Sequence, residues 1–163
     1  MSNTGKTFSI SAFPGLSVQK TVGLKPGDTV TLRSNDGQIK ELPFRAAQMS
    51  QTLGNMLEDL PEDDMAIPID VASGDILELV IRYCLEHTDT DPPRTPDDLN
   101  VWDKLFVASI DQVETLIALI KAADFLVIDS LRDLVINRVA GMIRGRTPAE
   151  IYTFFGYDPE QDE

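Results

Sequence analysis

The sequence has one cysteine, one histidine and one tryptophan in 163 residues. With Cys84 alone, no disulfide can close within the chain, which suits a reducing compartment. His87 has no second histidine or cysteine to join it, so no zinc site of the usual nitrogen and sulfur ligands is expected. The same scarcity removes histidine-dependent nucleophile sets and paired Cys-His motifs, and no phosphate-cradling glycine loop is present. Catalysis, a metal and a cofactor are therefore not expected. No apolar run approaches the roughly 20 residues needed to span a bilayer. The start, MSNTGKTFSI, lacks the basic-then-apolar form of a secretory signal, so a cytoplasmic and nuclear protein is expected. Basic residues are also few, 14 against 27 acidic ones, for a formal charge of −13. That balance argues against nucleic-acid and anionic-membrane partners, which would repel the chain overall.

The acids themselves do not make a site. Glu58, Asp59, Glu62, Asp63 and Asp64 gather around Pro61 without the alternating acids and central glycine of an EF-hand loop. They read as a solvated loop.

With 42 % apolar residues, the length suits one domain with a substantial core. Its organising stretch is 111–156, which holds three helical patterns on short links. The first puts Val113, Leu116, Ile117, Ile120, Ala123 and Val127 on one stripe. Asp129 or Ser130 then caps a second helix. This one carries Leu131, Leu134, Val135, Val139 and Met142 on one side and Ile136, Ala140 and Ile143 on another. A helix apolar on two sides buries both or offers one to a partner. Gly145 is a stop signal. Thr147-Pro148-Ala149-Glu150 is a capping box with proline at the first helical position, and Ile151, Phe154, Phe155 and Gly156 come after it.

Earlier in the chain, Val30 and Leu32 alternate inward along a strand at 29–33. Ser34–Gly37 is a turn whose Asp-Gly pair supplies the positive φ angles of a tight hairpin, and 38–42 returns. A short helix at 45–48 precedes one capped by Ser50 and carrying Leu53, Met56, Leu57 and Leu60. Gly54 weakens that helix by about 1 kcal/mol relative to alanine, which suggests close packing by a neighbour. A short strand at 66–69 leads to a helix over 75–87 with Ile76, Leu79, Val80, Tyr83 and Cys84 on its inner face, the thiol being an inert core group. Residues 88–100, TDTDPPRTPDDLN, read as a mobile linker. Val101-Trp102-Asp103 opens the next ordered segment, which Trp102 anchors to the core. In residues 1–28, Phe8, Ile10 and Ala12 alternate with polar residues, as either a loosely attached arm or an added edge strand.

Val101-Trp102-Asp103, Asp111-Gln112, Ala122–Leu126 and Val139–Ile151 together resemble the carboxy-terminal half of the S-phase-kinase-associated (Skp) adaptor family. The run from Met142 to Ile151 is the most specific. Ser34–Gly37, Met56–Leu60 and His87 through Pro93 fall in the expected order, so the resemblance spans roughly 29–157. It implies an α+β fold: a BTB/POZ-like small sheet with packed helices over 29–127, then additional carboxy-terminal helices over 128–157 and an acidic tail at 158–163. It also implies a non-catalytic adaptor of an SCF-type cullin ubiquitin ligase, bridging a cullin N-terminal region to F-box proteins. By resemblance, F-box contact falls to Val139, Met142, Ile143, Ile151, Phe154 and Phe155. Cullin contact falls to Asp124 and Phe125, where the family has Asn-Tyr; the ring is kept and a negative charge is added. The two further short helices and Trp-Cys ending with which the family clasps the F-box have no counterpart after Gly156. That difference raises a second expectation: a self-associating, BTB-like scaffold, a homodimer held by the same apolar surface.

Overall fold

Strand β1, Thr29–Ser34, forms because Val30 and Leu32 bury on one side while Thr29 and Arg33 stay in water, the period-two mark of a half-buried strand. Its neighbours are β2, Ile39–Pro43, antiparallel on one edge, and β3, Ile67–Ile69, parallel on the other. The order is β2-β1-β3. The structure, a computed structural model, describes residues 28–59 and 66–156. The expectations for residues 1–27, for the acidic loop over 60–65 and for the tail from 157 lie outside the described residues, whereas Glu58 and Asp59, expected in that loop, close the helix Gln51–Asp59.

The hairpin turn differs from the expected one. Only Gly37 takes a positive φ, +84°. Asp36 does not, and the link runs over Ser34–Gln38, with Arg33 opposite Ile39. Asp36 has another task. Its carboxylate accepts from the Ser34 hydroxyl, from the Gln38 amide at 3.1 Å and from the Gly74 backbone N–H at 3.0 Å. Gly74 opens the helix α3, so the turn is pinned to an orphan donor of a distant helix start. The Ser34 hydroxyl, and with it the Gly74 and Gln38 donors, holds the Asp36 carboxyl below its ordinary value of 3.8. A depressed carboxyl stabilises the fold above its unfolded pKa and loses that contribution as pH falls through the folded one. Asp36→Asn is therefore expected to lower the urea midpoint at pH 7. The deficit against wild type should shrink as the pH is brought below about 3.8.

Two helices, Phe44–Ala47 and Gly74–Thr88, pack on the sheet, and Gln51–Asp59 packs on the helix Val113–Leu126. α1, Phe44–Ala47, is short and buried. α2, Gln51–Asp59, is capped by Ser50 as expected: Ser50 Oγ accepts from the Leu53 N–H at 3.0 Å and donates to the Leu126 carbonyl at 2.6 Å. Gly54 has no close neighbour; a Cβ there would meet nothing within 4 Å. α3, Gly74–Thr88, is capped by Ser73 and buries Leu77 and Ile81 besides Ile76, Val80, Tyr83 and Cys84, while Leu79 is only half-buried. The wider face has a cause: α3 is packed by the sheet, α1 and α5 together. Burial pushes the Cys84 thiol up to about 12, so it is the expected inert core group.

Residues 88–100 are not one linker. α4, Pro96–Ala108, starts inside it, with Thr95 accepting from the Asp98 N–H and proline in the first turn. Trp102 lies mid-helix rather than at the start of an ordered segment. Its indole stacks on Phe106 at 4.7 Å and tilts against Tyr83 at 6.3 Å. His87 Nε2 meets the Asp103 carboxylate at 2.8 Å, so the tryptophan and the lone histidine both fasten α4 to α3.

α5, Val113–Leu126, and α6, Asp129–Ile143, complete the core. The buried face of α5 is Val113, Leu116, Leu119, Ala122, Ala123 and Leu126. Ile117 and Ile120 are half-buried and Val127 is exposed, so the stripe is rotated from the expected one toward Leu119 and Leu126. On α6 the expected stripe holds, with Leu131, Val135 and Val139 buried and Leu134 and Met142 packed against the core. The α6 cap is neither Asp129 nor Ser130 but Ile128, without a side-chain bond. Ser130 instead accepts from the Tyr83 hydroxyl at 2.8 Å. α7, Pro148–Phe154, has the full capping box on Thr147 and Glu150. The result is the expected α+β fold.

Candidate functional site

The apolar residues from Val139 onward form a gradient from core to water. Val139 is a core residue, Met142 leans on the core, and Ile143, Ile151 and Phe154 are half-buried, while Phe155 is exposed. α7 buries none of its residues. It is held locally: Glu150 N–H donates to Thr147 Oγ1 at 3.2 Å and Thr147 N–H to Glu150 Oε1 at 2.9 Å. The Arg146 guanidinium sits 4.8 Å from the Phe154 ring centroid, a cation–π contact, and Phe154 meets Phe155 edge-on at 5.2 Å. Tyr152, not among the expected site residues, is 47 % exposed, and Ile136 on the outer line of α6 is exposed too. A helix with two aromatic side chains and a third just beyond its end, adding nothing to the core yet fixed at its start by two reciprocal hydrogen bonds, is a ready surface for a partner. Met142 also has a structural task here, so charge placed on it would test packing along with binding.

Asp124 and Phe125 lie at the corner between α5 and α6. α5 ends because Val127 takes φ +54°. Ile128 N–H then reaches the Ala123 carbonyl at 2.9 Å and Val127 N–H the Asp124 carbonyl at 3.2 Å, a Schellman turn on valine where glycine is usual. Left-handed backbone costs an L-residue roughly 1–2 kcal/mol. Val127→Gly is thus expected to raise stability by about 1 kcal/mol, net of the extra freedom of glycine in the unfolded chain, read as a rise in the urea midpoint with unchanged slope.

Around that corner the side chains divide into an acidic rim and an apolar cleft. Arg132 is shared by Asp129 at 3.3 Å, Asp124 at 3.5 Å and Asp133 at 3.5 Å, and Asp129 chiefly drives its pKa further up. Phe125 projects beside it, 37 % exposed, with its carbonyl taken by Thr52 Oγ1 at 2.5 Å. On the α2 side a cleft of about 400 Å³ is lined by Met49, Gly54, Leu57, Val127 and Gln48, among others. The Gln48 Nε2 atom is buried with no hydrogen-bond partner. A buried amide without a partner costs stability. Gly54 and Gln48 were not among the expected site residues. The bare Gly54 in an amphipathic helix was the available signal.

Among the described residues no group of three or more His, Cys, Asp or Glu side chains is placed to hold a metal ion. No helix among them is long and apolar enough to cross a membrane.

Comparison with known proteins bears on the family of the chain. The sequence profile of the Skp1 family, tetramerisation domain, matches residues 28–89. The chain is similar to SKP1-like protein 11 of Arabidopsis thaliana, with 40 % identity over 139 residues, covering 82 % of this chain and 90 % of the relative. It is 38 % identical over 146 residues to the SCF ubiquitin ligase complex protein SKP1a of Dictyostelium discoideum, covering 82 % and 89 %. It is 36 % identical over 148 residues to the E3 ubiquitin ligase complex SCF subunit sconC of Arthroderma benhamiae, covering 82 % and 88 %.

Proposed function

Because the chain belongs to the Skp1 family, we propose that it is a non-catalytic adaptor of an SCF-type ubiquitin ligase, bridging a cullin N-terminal region to F-box proteins. The observation that carries this reading is α7: an ordered, capped helix bearing Tyr152 and Phe154, with Phe155 just beyond, and with no residue in the core. Such a helix gains its burial from a partner, and a small apolar domain such as an F-box is a fitting one.

The second contact is assigned to the α5–α6 corner. Phe125 supplies an aromatic anchor, and the cleft beside Val127 takes an apolar side chain. Asp124 adds a charge that Arg132 partly neutralises, so the pair tunes which cullin is chosen more than how tightly it binds. The two surfaces use different residues, which suits simultaneous occupancy.

Isothermal titration of the full chain with an F-box domain and, separately, with a cullin N-terminal region tests the assignment. Binding of both supports it; binding of neither overturns it. The uncovered aromatic face of α7 also favours a second reading, a homodimer, which light scattering across concentration would reveal.

A further inference from the structure

Neither α4 nor α6 has a basic residue in its own last turn, although the orphan carbonyls of a helix end favour a cation. In each case an arginine from a later segment supplies it. Arg138, in the middle of α6, donates through Nε to the Val107 carbonyl at 3.1 Å and through Nη2 to the Ile110 carbonyl at 3.4 Å. Arg146, in the link before α7, donates through Nε to the Met142 carbonyl at 2.7 Å.

The first of these contacts is a fork. Val107 and Ile110 bracket the end of α4, and their side chains are buried in the core. One planar guanidinium takes both carbonyls at once, which fixes its orientation as well as its distance. An ammonium in its place would bring charge to the helix end but no fork. Arg138 therefore holds α6 to α4 at a set rotation, while Trp102 and the His87–Asp103 pair fasten α4 to α3.

The second contact carries that setting onward. Arg138, Met142 and Arg146 recur at every fourth position. Met142 lies one turn beyond Arg138 on the same side of α6 and packs against the core. Its carbonyl is the one Arg146 takes, and the same guanidinium covers the Phe154 ring at 4.8 Å. Because α7 buries none of its residues, its place on the molecule depends on such contacts more than on the core. They run unbroken from the end of α4 through Arg138, the last turns of α6 and Arg146 to Phe154.

We propose, on the reading of α7 as the F-box surface, that Arg138 is a positioning residue for it: the fork fixes the last turns of α6 against α4, and Arg146 passes that placement to α7. Arg138 acts through α7, without touching the partner. The cullin corner lies at the opposite end of α6, where Ser50 and Thr52 hold the Leu126 and Phe125 carbonyls, and it does not share this dependence.

The test compares the full chain with Arg138→Lys and Arg138→Met. In titrations with an F-box domain both variants should bind roughly tenfold more weakly, a size usual for changes along a contact network. Titration with a cullin N-terminal region should be unchanged. Arg138→Lys keeps a charge at the end of α4, so its urea midpoint should return toward wild type while its F-box affinity does not. Affinity that recovers together with stability, an equal loss of cullin affinity, or F-box binding untouched in both variants would overturn the proposal. Amide resonances give a reading that needs no partner: those of residues 146–154 should shift in Arg138→Lys, and those of residues 51–59 should not. Unshifted α7 resonances would overturn the proposal even where the F-box domain binds. Shifted ones in a chain that takes up no F-box domain would uphold the positioning of α7 and remove only its F-box reading.

Discussion

Tyr152→Ser combined with Phe155→Ser is expected to weaken binding of an F-box domain by roughly 100-fold, about 3 kcal/mol for two aromatic anchors. The chain should stay as stable as wild type. Both side chains belong to or come just after a helix that contributes no buried residue, and surface changes away from core and caps usually stay within about 0.5 kcal/mol. The capping box on Thr147 and Glu150 is untouched, so α7 should remain helical. A titration with F-box domain and a urea curve on the same sample separate the two effects. Unchanged affinity would remove α7 from the F-box surface. Met142→Asp would not separate them, because Met142 packs against the core.

Leu131→Ala should cost about 3 kcal/mol, in the usual range for a leucine truncated in a packed interior. Leu131 is fully buried, at the start of α6, where it joins the same core as Leu116, Leu119 and Leu126 of α5. Beside it the Tyr83 hydroxyl donates to Ser130, and burial pushes Tyr83 up to about 12, so that phenol remains a donor at any ordinary pH. Because one core runs through both halves, the loss is expected as a single unfolding transition with a lower urea midpoint and an unchanged slope. If α6 and α7 were a separately folding unit, a second transition would split from the first. That outcome would place a real boundary near residue 128.

How much could be read from the residues alone depended on how local the signal was. The capping box at Thr147 lies within four residues, and it stands in the structure as read. The same kind of start at Thr95, Pro96 and Asp98 is hidden in the sequence, because proline and aspartate around it give the segment the composition of a linker. The α5 stripe was legible as helical but not in rotation. Every position from Leu116 to Ile120 is apolar, so periodicity alone cannot choose the face; packing against α3, α2 and α6 does. Gly54, which in sequence suggests a close approach, is open. Its meaning is tertiary, as part of a cleft completed by Val127 from about seventy residues away. Val127 itself carried no sequence signal for a left-handed turn, since that role ordinarily falls to glycine. The candidate partner-facing residues are named by resemblance alone, but the division of Val139 and Met142 to the core and Phe155 to the surface follows from tertiary packing.

The most direct test of the bridging role is light scattering on the full chain mixed with an F-box domain and a cullin N-terminal region, each alone and then together. A bridging adaptor predicts two binary complexes and one ternary complex with a single copy of each component. Mutually exclusive binding of the two partners, or a homodimer that takes up neither, would contradict it.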